Sequence, residues 1–126
     1  MIVKLQKDAV LFITHGSRSP KTKQEINRSV KLLKRRSKTE ILEFAFLEIE
    51  NPNIPEGIAT CVKKGATVVT VLLNFLNSGR HVDRDIPQII KDAKKQYPRV
   101  LFRVTRPVGQ HKKIPDLFLD MLRKKV

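Results

Sequence analysis

The sequence predicts an α/β fold, a three-layer αβα sandwich with a four-stranded parallel sheet, and three observations lead to this prediction. Four apolar runs alternate along the chain with four stretches whose apolar residues recur at helical spacing. The first run is apolar without interruption, as expected of a strand buried on both faces. Turn residues such as Gly65 and Pro98 end the helical stretches. Regular β-α alternation favours parallel pairing, right-handed crossovers and helices on both faces of the sheet.

The four predicted strands differ in how apolar they are. The first is apolar throughout, and the second is interrupted by Glu43, which we assign to a sheet edge or to a contact with a helix. The third is the most apolar of the four, which favours a position inside the sheet. The strands are expected at residues 9–14, 41–47, 67–73 and 100–104.

The first two predicted helices have recognisable boundaries. One begins at Pro20, with Ser19 as its cap, and runs to about Arg36. The next begins near Pro55 and stops at Gly65. Its inward face includes Cys61, since a buried free cysteine behaves as a small hydrophobic residue.

The last two predicted helices are recognised by their apolar stripes. One runs from Asp83 or Asp85 to Gln96 and ends before Pro98. The other is indicated by residues at helical spacing near the end of the chain, namely Ile114, Phe118, Met121 and Leu122.

Length and composition fit a single domain over residues 1–126. The hydrophobic content is 40% and the charged content is 30%, which is typical of a globular protein. The single cysteine, Cys61, excludes an internal disulfide and any multi-cysteine metal site, and it favours a reducing compartment. No apolar run approaches the ~18 residues of a membrane span, and no signal-peptide cleavage pattern is present. We therefore expect a cytoplasmic protein that does not bind membranes.

All three histidines follow predicted strands directly. His15 comes after the first strand, His81 after the third and His111 after the fourth, while Glu48 comes after the second. Ligands of parallel sheets bind outside the carboxyl ends of the strands, near the point where the strand order reverses. A strand order of 2-1-3-4 places the first and third strands side by side. His15 and His81 would then face each other across one crevice.

The two facing histidines are candidates for metal binding or proton transfer. Neutral imidazole is the commonest metal ligand and a natural base near neutral pH. With Glu48 as a third ligand or a proton acceptor, the set suits a divalent first-row metal held with open positions. The alternative is that His15 and His81 are loop histidines bonded to nearby backbone. For His111 this second interpretation is favoured.

The net charge of +14 predicts attraction to an anionic partner. Nucleic acid fits poorly, since no aromatic residues interleave with the basic clusters as stacking platforms. A small polycarboxylate or phosphate substrate fits better, and the segment 76–87 concentrates suitable groups in one turn. Arginine binds carboxylates in a bidentate manner, and four arginines follow the strand ends: Arg18, Arg80, Arg84 and Arg106.

The sequence does not match the known phosphate-binding patterns. Histidine phosphatases place an arginine immediately before the histidine at the end of the first strand, but here that position is Thr14. Neither glycine-rich phosphate-loop pattern is present. Phosphoryl chemistry is therefore a minor alternative.

The motifs after the strands resemble those of the short sirohydrochlorin chelatases, which are class II tetrapyrrole chelatases. The resemblance extends from about Val10 to His111. It is carried by His15-Gly16-Ser17-Arg18, by Phe46-Leu47-Glu48 with Pro52, by Phe75-Leu76 with Gly79, His81 and Asp85-Ile86-Pro87, and by Pro107-Val108-Gly109.

The resemblance implies a chelatase-like, flavodoxin-type sheet and an enzyme that inserts Co²⁺, Fe²⁺ or Ni²⁺ into sirohydrochlorin. Such reactions serve the synthesis of cobalamin, sirohaem or coenzyme F430. It implies that His15 and His81 bind the metal and accept pyrrole protons, with Glu48 beside them. The short form acts as a homodimer, with no tightly bound cofactor. The expected substrate contacts are Ser17, Arg18, Gly79, Arg80, Arg84 and Arg106.

The chain departs from the family pattern at Leu73, Asn74 and Asn77, where the family has proline and mostly apolar residues. These departures concern substrate fit more than chemistry. The alternative function is a non-catalytic module of flavodoxin-like fold that binds a tetrapyrrole, a metal or nucleic acid.

Overall fold

The computed structural model describes residues 5–124, without the side chain of His81. Four parallel strands form one sheet in the order β2-β1-β3-β4, which confirms the predicted order. The strands are β1 (Asp8–Thr14), β2 (Ile41–Phe46), β3 (Val68–Leu73) and β4 (Leu101–Pro107). The helices are α1 (Pro20–Ser37), α2 (Ile54–Lys63), α3 (Ile86–Gln96) and α4 (Ile114–Arg123).

Strand β1 lies at the centre of the sheet and pairs with both β2 and β3. Near its carboxyl end Ile13 aligns with Ala45 of β2 and with Leu73 of β3. Side chains alternate between the two faces of a strand, so Leu11 and Ile13 point to the same face, where both are fully buried. Val10 and Phe12 point to the other face, where they are only partly buried, so burial is complete on one side of β1.

Helices α2 and α3 cover one face of the sheet and form the main core with it. Ile58 of α2 and Ile90 of α3 are buried in this core. Helix α2 approaches the sheet closely at Gly57, where an added Cβ would lie 2.9 Å from the Cβ of Ala45 and 2.9 Å from Cδ1 of Leu11. Asn53 caps α2 in a capping box with Glu56, a boundary one residue from the predicted start.

Cys61 lies in this core, as predicted. Burial and the nearby Glu43 carboxylate raise the pKa of its thiol to about 11. Glu43 receives a hydrogen bond from the Lys64 ammonium group at the edge of the sheet, and this bond raises the pKa of Lys64. Glu43 is thus an edge residue in contact with the segment after α2, as expected.

The opposite face of the sheet is only partly covered. Helix α1 contacts β2 and buries Val30. Helix α4 packs against the short 3₁₀ turn at Val108–Gln110, and its apolar stripe faces solvent. Within that stripe Phe118 is 60% exposed and Leu122 is 81% exposed. The predicted amphipathic helix is thus confirmed, and its apolar stripe has no packing partner among residues 5–124.

Element boundaries differ from the predictions where side-chain polarity misleads. Strand β4 continues to Pro107, beyond the predicted end at Val104, because its pairing with β3 resumes after an irregularity. A π-helical turn, His81–Asp85, precedes α3. Ser19 occupies the cap position of α1 but its side chain makes no capping hydrogen bond. None of the helices in residues 5–124 is both long and apolar enough to cross a bilayer.

Gly57→Ala is expected to lower the thermal stability of the protein. Overpacking against Ala45 and Leu11 costs about 1–3 kcal/mol, which outweighs the ~1 kcal/mol gain in helix propensity. Gly79→Ala is the control, because an added Cβ there meets no heavy atom within 4 Å. Thermal melts of both variants check this, and a Gly57→Ala variant as stable as Gly79→Ala would contradict the close packing of α2.

Candidate active site at the carboxyl edge of the sheet

The loops after β1 and β2 are joined by backbone hydrogen bonds. The amide of Leu47 donates to the carbonyl of Thr14 (2.9 Å), and the amide of Glu48 donates to the carbonyl of His15 (3.0 Å). Gly16 follows with φ of +110°, and an added Cβ there would overlap the Glu48 carbonyl oxygen. Only glycine fits this position. The loops are therefore held in one fixed alignment.

This alignment brings His15 and Glu48 together. Nε2 of His15 lies 2.7 Å from Oε1 of Glu48, and each side chain is about half exposed. The imidazole also packs edge-on to the ring of Phe75, with centroids 6.5 Å apart and an interplanar angle of 83°. A carboxylate bonded to one ring nitrogen fixes the tautomer and the orientation of a histidine. The pair is thus prepared for proton transfer or metal binding on the solvent side.

Ser17 is held by a carboxylate that the sequence analysis did not single out. Its amide donates to Oε2 of Glu50 (3.0 Å), and its hydroxyl accepts a hydrogen bond from the amide of Ser19 (3.1 Å). Ser17 is partly buried, and Arg18 next to it is exposed at the rim. Glu50 therefore supports the first loop from the side of β2.

The loop after β3 continues the same rim. The amide of Asn74 donates to the carbonyl of Ile13 (2.8 Å), and its side-chain amide donates to Oγ1 of Thr14 (3.4 Å). The π-helical turn then begins at His81, with a hydrogen bond from the Asp83 amide to the Gly79 carbonyl (2.7 Å). The predicted position of the His81 side chain against His15 lies outside the described residues. Arg80 and Arg84 flank His81 in sequence and are exposed.

The loop after β4 packs closely on the loop after β3. The amide of Gly109 donates to the carbonyl of Phe75 (3.0 Å), and an added Cβ at Gly109 would overlap the backbone of Leu76. The side chain of Gln110 donates to the hydroxyl of Ser78. The backbone beneath Leu76 is thereby fixed, while its side chain is 72% exposed.

A cavity of about 520 Å³ opens beside β3 and β4 on the incompletely covered face. Asn74 lies in its wall, so the departure at this position does place a polar group in the cavity. His111 also lines it and accepts a hydrogen bond from the Lys113 amide at Nδ1 (3.0 Å), which agrees with its interpretation as a loop histidine. The lining residues are Phe12, Leu72, Leu73, Asn74, Thr105, Arg106, Pro107, Val108, Gln110, His111 and Lys112.

The structure thus brings some predicted site residues together and leaves others dispersed. His15 and Glu48 are in contact, and Arg106 lies on the cavity wall with His111. Over the part of the chain that is described, no group of three or more His, Cys, Asp or Glu residues forms a ready metal site. The roles of Glu50 and Phe75 were missed, because both depend on contacts between distant loops. For Phe75, the only signal in the sequence was its place in the Phe75-Leu76 motif.

Curated proteins similar to this chain in sequence are sirohydrochlorin chelatases. The sirohydrochlorin ferrochelatase of Arabidopsis thaliana chloroplasts is 32% identical over 116 residues, covering 92% of this chain and 52% of the relative. The sirohydrochlorin cobaltochelatase of Priestia megaterium is 38% identical over 117 residues, and the match covers 92% of this chain and 38% of that relative. The chain therefore spans about half or less of the length of these curated relatives.

A solved structure shares the fold. The sirohydrochlorin chelatase SirB of Bacillus subtilis subspecies spizizenii, in complex with cobalt, superposes with a TM-score of 0.84 at 30% identity. The match covers 94% of this chain and 50% of that one. A family model described as CbiX matches residues 9–125. Because that match covers nearly the whole chain, the protein belongs to the CbiX family.

Proposed function

We propose that this protein inserts a divalent metal ion into sirohydrochlorin, with Co²⁺ as the first candidate metal and Fe²⁺ or Ni²⁺ as alternatives. One observation carries the proposal: His15 and Glu48 lie in contact at the carboxyl edge of the sheet, 2.7 Å apart. The segment leading to His81 follows the neighbouring strand β3. Membership of the CbiX family and the chelatase names of the relatives support the same activity.

The pair His15–Glu48 suits the proton chemistry of metal insertion. Two pyrrole N–H protons must leave the macrocycle while the metal exchanges its ligands for ring nitrogens. When Nε2–H of neutral His15 is donated to Glu48, the lone pair lies on Nδ1, which accepts a proton or binds the metal. Glu48 then faces the positive charge that forms on the protonated ring. Protons pass from the histidine to solvent, which reaches both half-exposed side chains.

A second histidine allows the two tasks to be divided. One imidazole cannot accept a pyrrole proton and hold the metal at the same moment. We propose that His15 carries out one of these tasks and His81 the other. Each imidazole is chemically suited to either task. A single weak ligand is useful here, because the metal must be released to the macrocycle.

The charge of the protein suits a polycarboxylate macrocycle. The net charge is +14, which favours capture of an anionic substrate. Four arginines are exposed near the carboxyl ends of the strands: Arg18, Arg80 and Arg84 in the segments after β1 and β3, and Arg106 near the end of β4. With Ser17 and Gly79 they form our proposed substrate contacts, since guanidinium groups bind carboxylates in a bidentate manner. The macrocycle would lie over His15 with its carboxylates directed to this rim.

The metal itself is not selected by the donor set. Imidazole and carboxylate ligands bind divalent first-row ions in similar arrangements, so availability often decides. The relatives include both cobalt and iron chelatases. Structures of SirB were solved both with cobalt and with Fe³⁺, so Co²⁺ as the first candidate is a proposal that relative insertion rates test. A reducing compartment such as the cytoplasm would keep Fe²⁺ available and Cys61 reduced.

We further propose that the active form is a homodimer joined through α4. The apolar stripe of α4 is exposed, with Leu117 at 58% and Met121 at 63%. The face of the sheet beside α1 offers an apolar cavity lined by Phe12 and Leu72. In the proposed dimer the stripe of each copy packs on the open face of the other copy, as in closed two-fold interfaces.

Two quantities support this association. The chain exposes 9519 Å², whereas a compact monomer of 14.5 kDa exposes about 6,900 Å². The difference exceeds the ~800 Å² that each partner contributes to a standard interface. The second quantity is the exposure of the stripe itself, which reaches 81% at Leu122.

The first prediction concerns turnover. Purified protein is expected to accelerate metal insertion into sirohydrochlorin with at least one of Co²⁺, Fe²⁺ and Ni²⁺, over many turnovers per chain. Absorbance spectra of sirohydrochlorin measure the rate. Rates equal to the protein-free background with all three metals would overturn the proposal. Stoichiometric binding without turnover would favour the non-catalytic binding module.

The second prediction concerns the histidines and Glu48. His15→Ala and His81→Ala are each expected to lower kcat by about 10²-fold or more, in the range of general acid–base catalysis. Glu48→Gln is expected to cause a smaller loss, because glutamine still accepts a hydrogen bond from Nε2 but carries no charge. His111→Ala is the matched control and should retain near wild-type kcat. Wild-type rates for both His15→Ala and His81→Ala would refute the site.

The third prediction concerns the dimer. Light scattering is expected to give a mass near twice 14.5 kDa for the wild type at micromolar concentration. Phe118→Asp should shift the protein to a monomer, because it places a charge in the apolar stripe. Leu101→Asp is the control, since Leu101 is also exposed (54%) but begins β4 and lies outside α4. A monomeric wild type, or equal effects of both variants, would contradict an interface through the stripe.

A further inference from the structure

Ile49 occupies an unusual backbone conformation immediately after Glu48. Its φ is +74°, and the amide of Glu50 donates to the carbonyl of Glu48 (2.8 Å). A hydrogen bond across a single residue at this φ defines the rarer and more strained form of the γ-turn. Positive φ is costly for a β-branched side chain, and glycine or asparagine would adopt it more readily. The strained backbone at Ile49 must therefore be maintained by the contacts around it.

The surrounding loops hold this turn in place from both sides. On one side Gly16 packs directly on the Glu48 carbonyl, and on the other the carboxylate of Glu50 accepts a hydrogen bond from the Ser17 amide. The turn directs the side chain of Ile49 outward, where 59% of it is exposed. An apolar side chain at this cost contributes little to the core. Backbone strain that the surrounding structure maintains is concentrated at functional sites.

Leu76 is a second exposed apolar side chain on the same rim. Gly109 fixes its backbone, and 72% of the residue is exposed. The strand order β2-β1-β3 places the loop of Ile49 on one side of the His15 loop and the loop of Leu76 on the other. The loop of His15 thus lies between two loops that each carry an exposed apolar side chain, and a glycine contact holds the backbone of each of those two loops.

We propose that Ile49 and Leu76 contact the flat apolar face of the tetrapyrrole on either side of His15 and set its plane over the imidazole. This inference rests on the proposed function. A tetrapyrrole combines an apolar ring with a charged periphery, so arginines that bind its carboxylates fix its edge but not its tilt. Two apolar contacts complete the orientation. The strain at Ile49 is then the cost of presenting a rigid contact beside the His15–Glu48 pair.

The test compares Ile49→Ala, Ile49→Gly and Leu76→Ala with wild type and with the control Leu101→Ala. Leu101 is 54% exposed but begins β4, at the opposite end of the sheet. The Kd for metal-free sirohydrochlorin is measured by fluorescence, together with KM for sirohydrochlorin, KM for Co²⁺ and the melting temperature. Loss of one buried aliphatic contact is expected to raise Kd and KM for sirohydrochlorin about tenfold. KM for Co²⁺ should not change.

Ile49→Gly separates substrate contact from a structural role. Glycine adopts positive φ without strain, so this variant should melt no lower than wild type and still bind the tetrapyrrole about tenfold more weakly. Unchanged Kd in both Ile49→Ala and Leu76→Ala, with an active wild type, would overturn this inference alone. A weakened Ile49→Gly that also melts lower would overturn it in favour of a structural role. A wild type that neither binds nor metallates sirohydrochlorin would overturn the inference and the proposed function together.

Discussion

The contact between Gly16 and the carbonyl of Glu48 is the constraint on which the candidate site depends. A side chain at Gly16 would overlap that carbonyl, and φ of +110° is open only to glycine at low cost. With this contact in place, the loops after β1 and β2 share backbone hydrogen bonds, and Nε2 of His15 reaches Oε1 of Glu48. The same contact holds the turn at Ile49. One backbone approach therefore positions both the His15–Glu48 pair and the exposed side chain of Ile49.

The sheet could be predicted because its determinants are local. Each strand is an apolar run of strand length, and the alternation of runs with amphipathic helices leaves parallel pairing as the simple solution. What α4 packs against could not be predicted, because amphipathicity indicates that a face will be buried but not which surface buries it. The end of β4 was missed for a related reason. Thr105 and Arg106 are exposed, so their polarity hides a pairing that only β3 determines.

The same distinction applies to the candidate site. His15 and Glu48 could be placed at one rim from sequence, because the carboxyl ends of parallel strands share an edge. Their contact with Phe75 and the support from Glu50 could not, since both arise between segments far apart in sequence. The turn at Ile49 was also hidden, because an isoleucine carries no signal for positive φ. Sequence patterns thus indicated the candidate groups, whereas the backbone that orients them became visible only in the fold.

The net charge of +14 acts on substrate capture and on self-association in opposite directions. It attracts a polycarboxylate, but two copies of a strongly basic chain repel each other at long range. An interface is therefore favoured where the local charge departs from the average. Helix α4 meets this condition, since Ile114–Arg123 carries the single cation Arg123, and Asp120 in it pairs with Lys124 at 3.1 Å. The open cavity that it would cover is bordered by Arg106 and Lys112. An apolar stripe placed there adds few cations to those at the cavity, while Arg18, Arg80 and Arg84 stay outside the proposed contact.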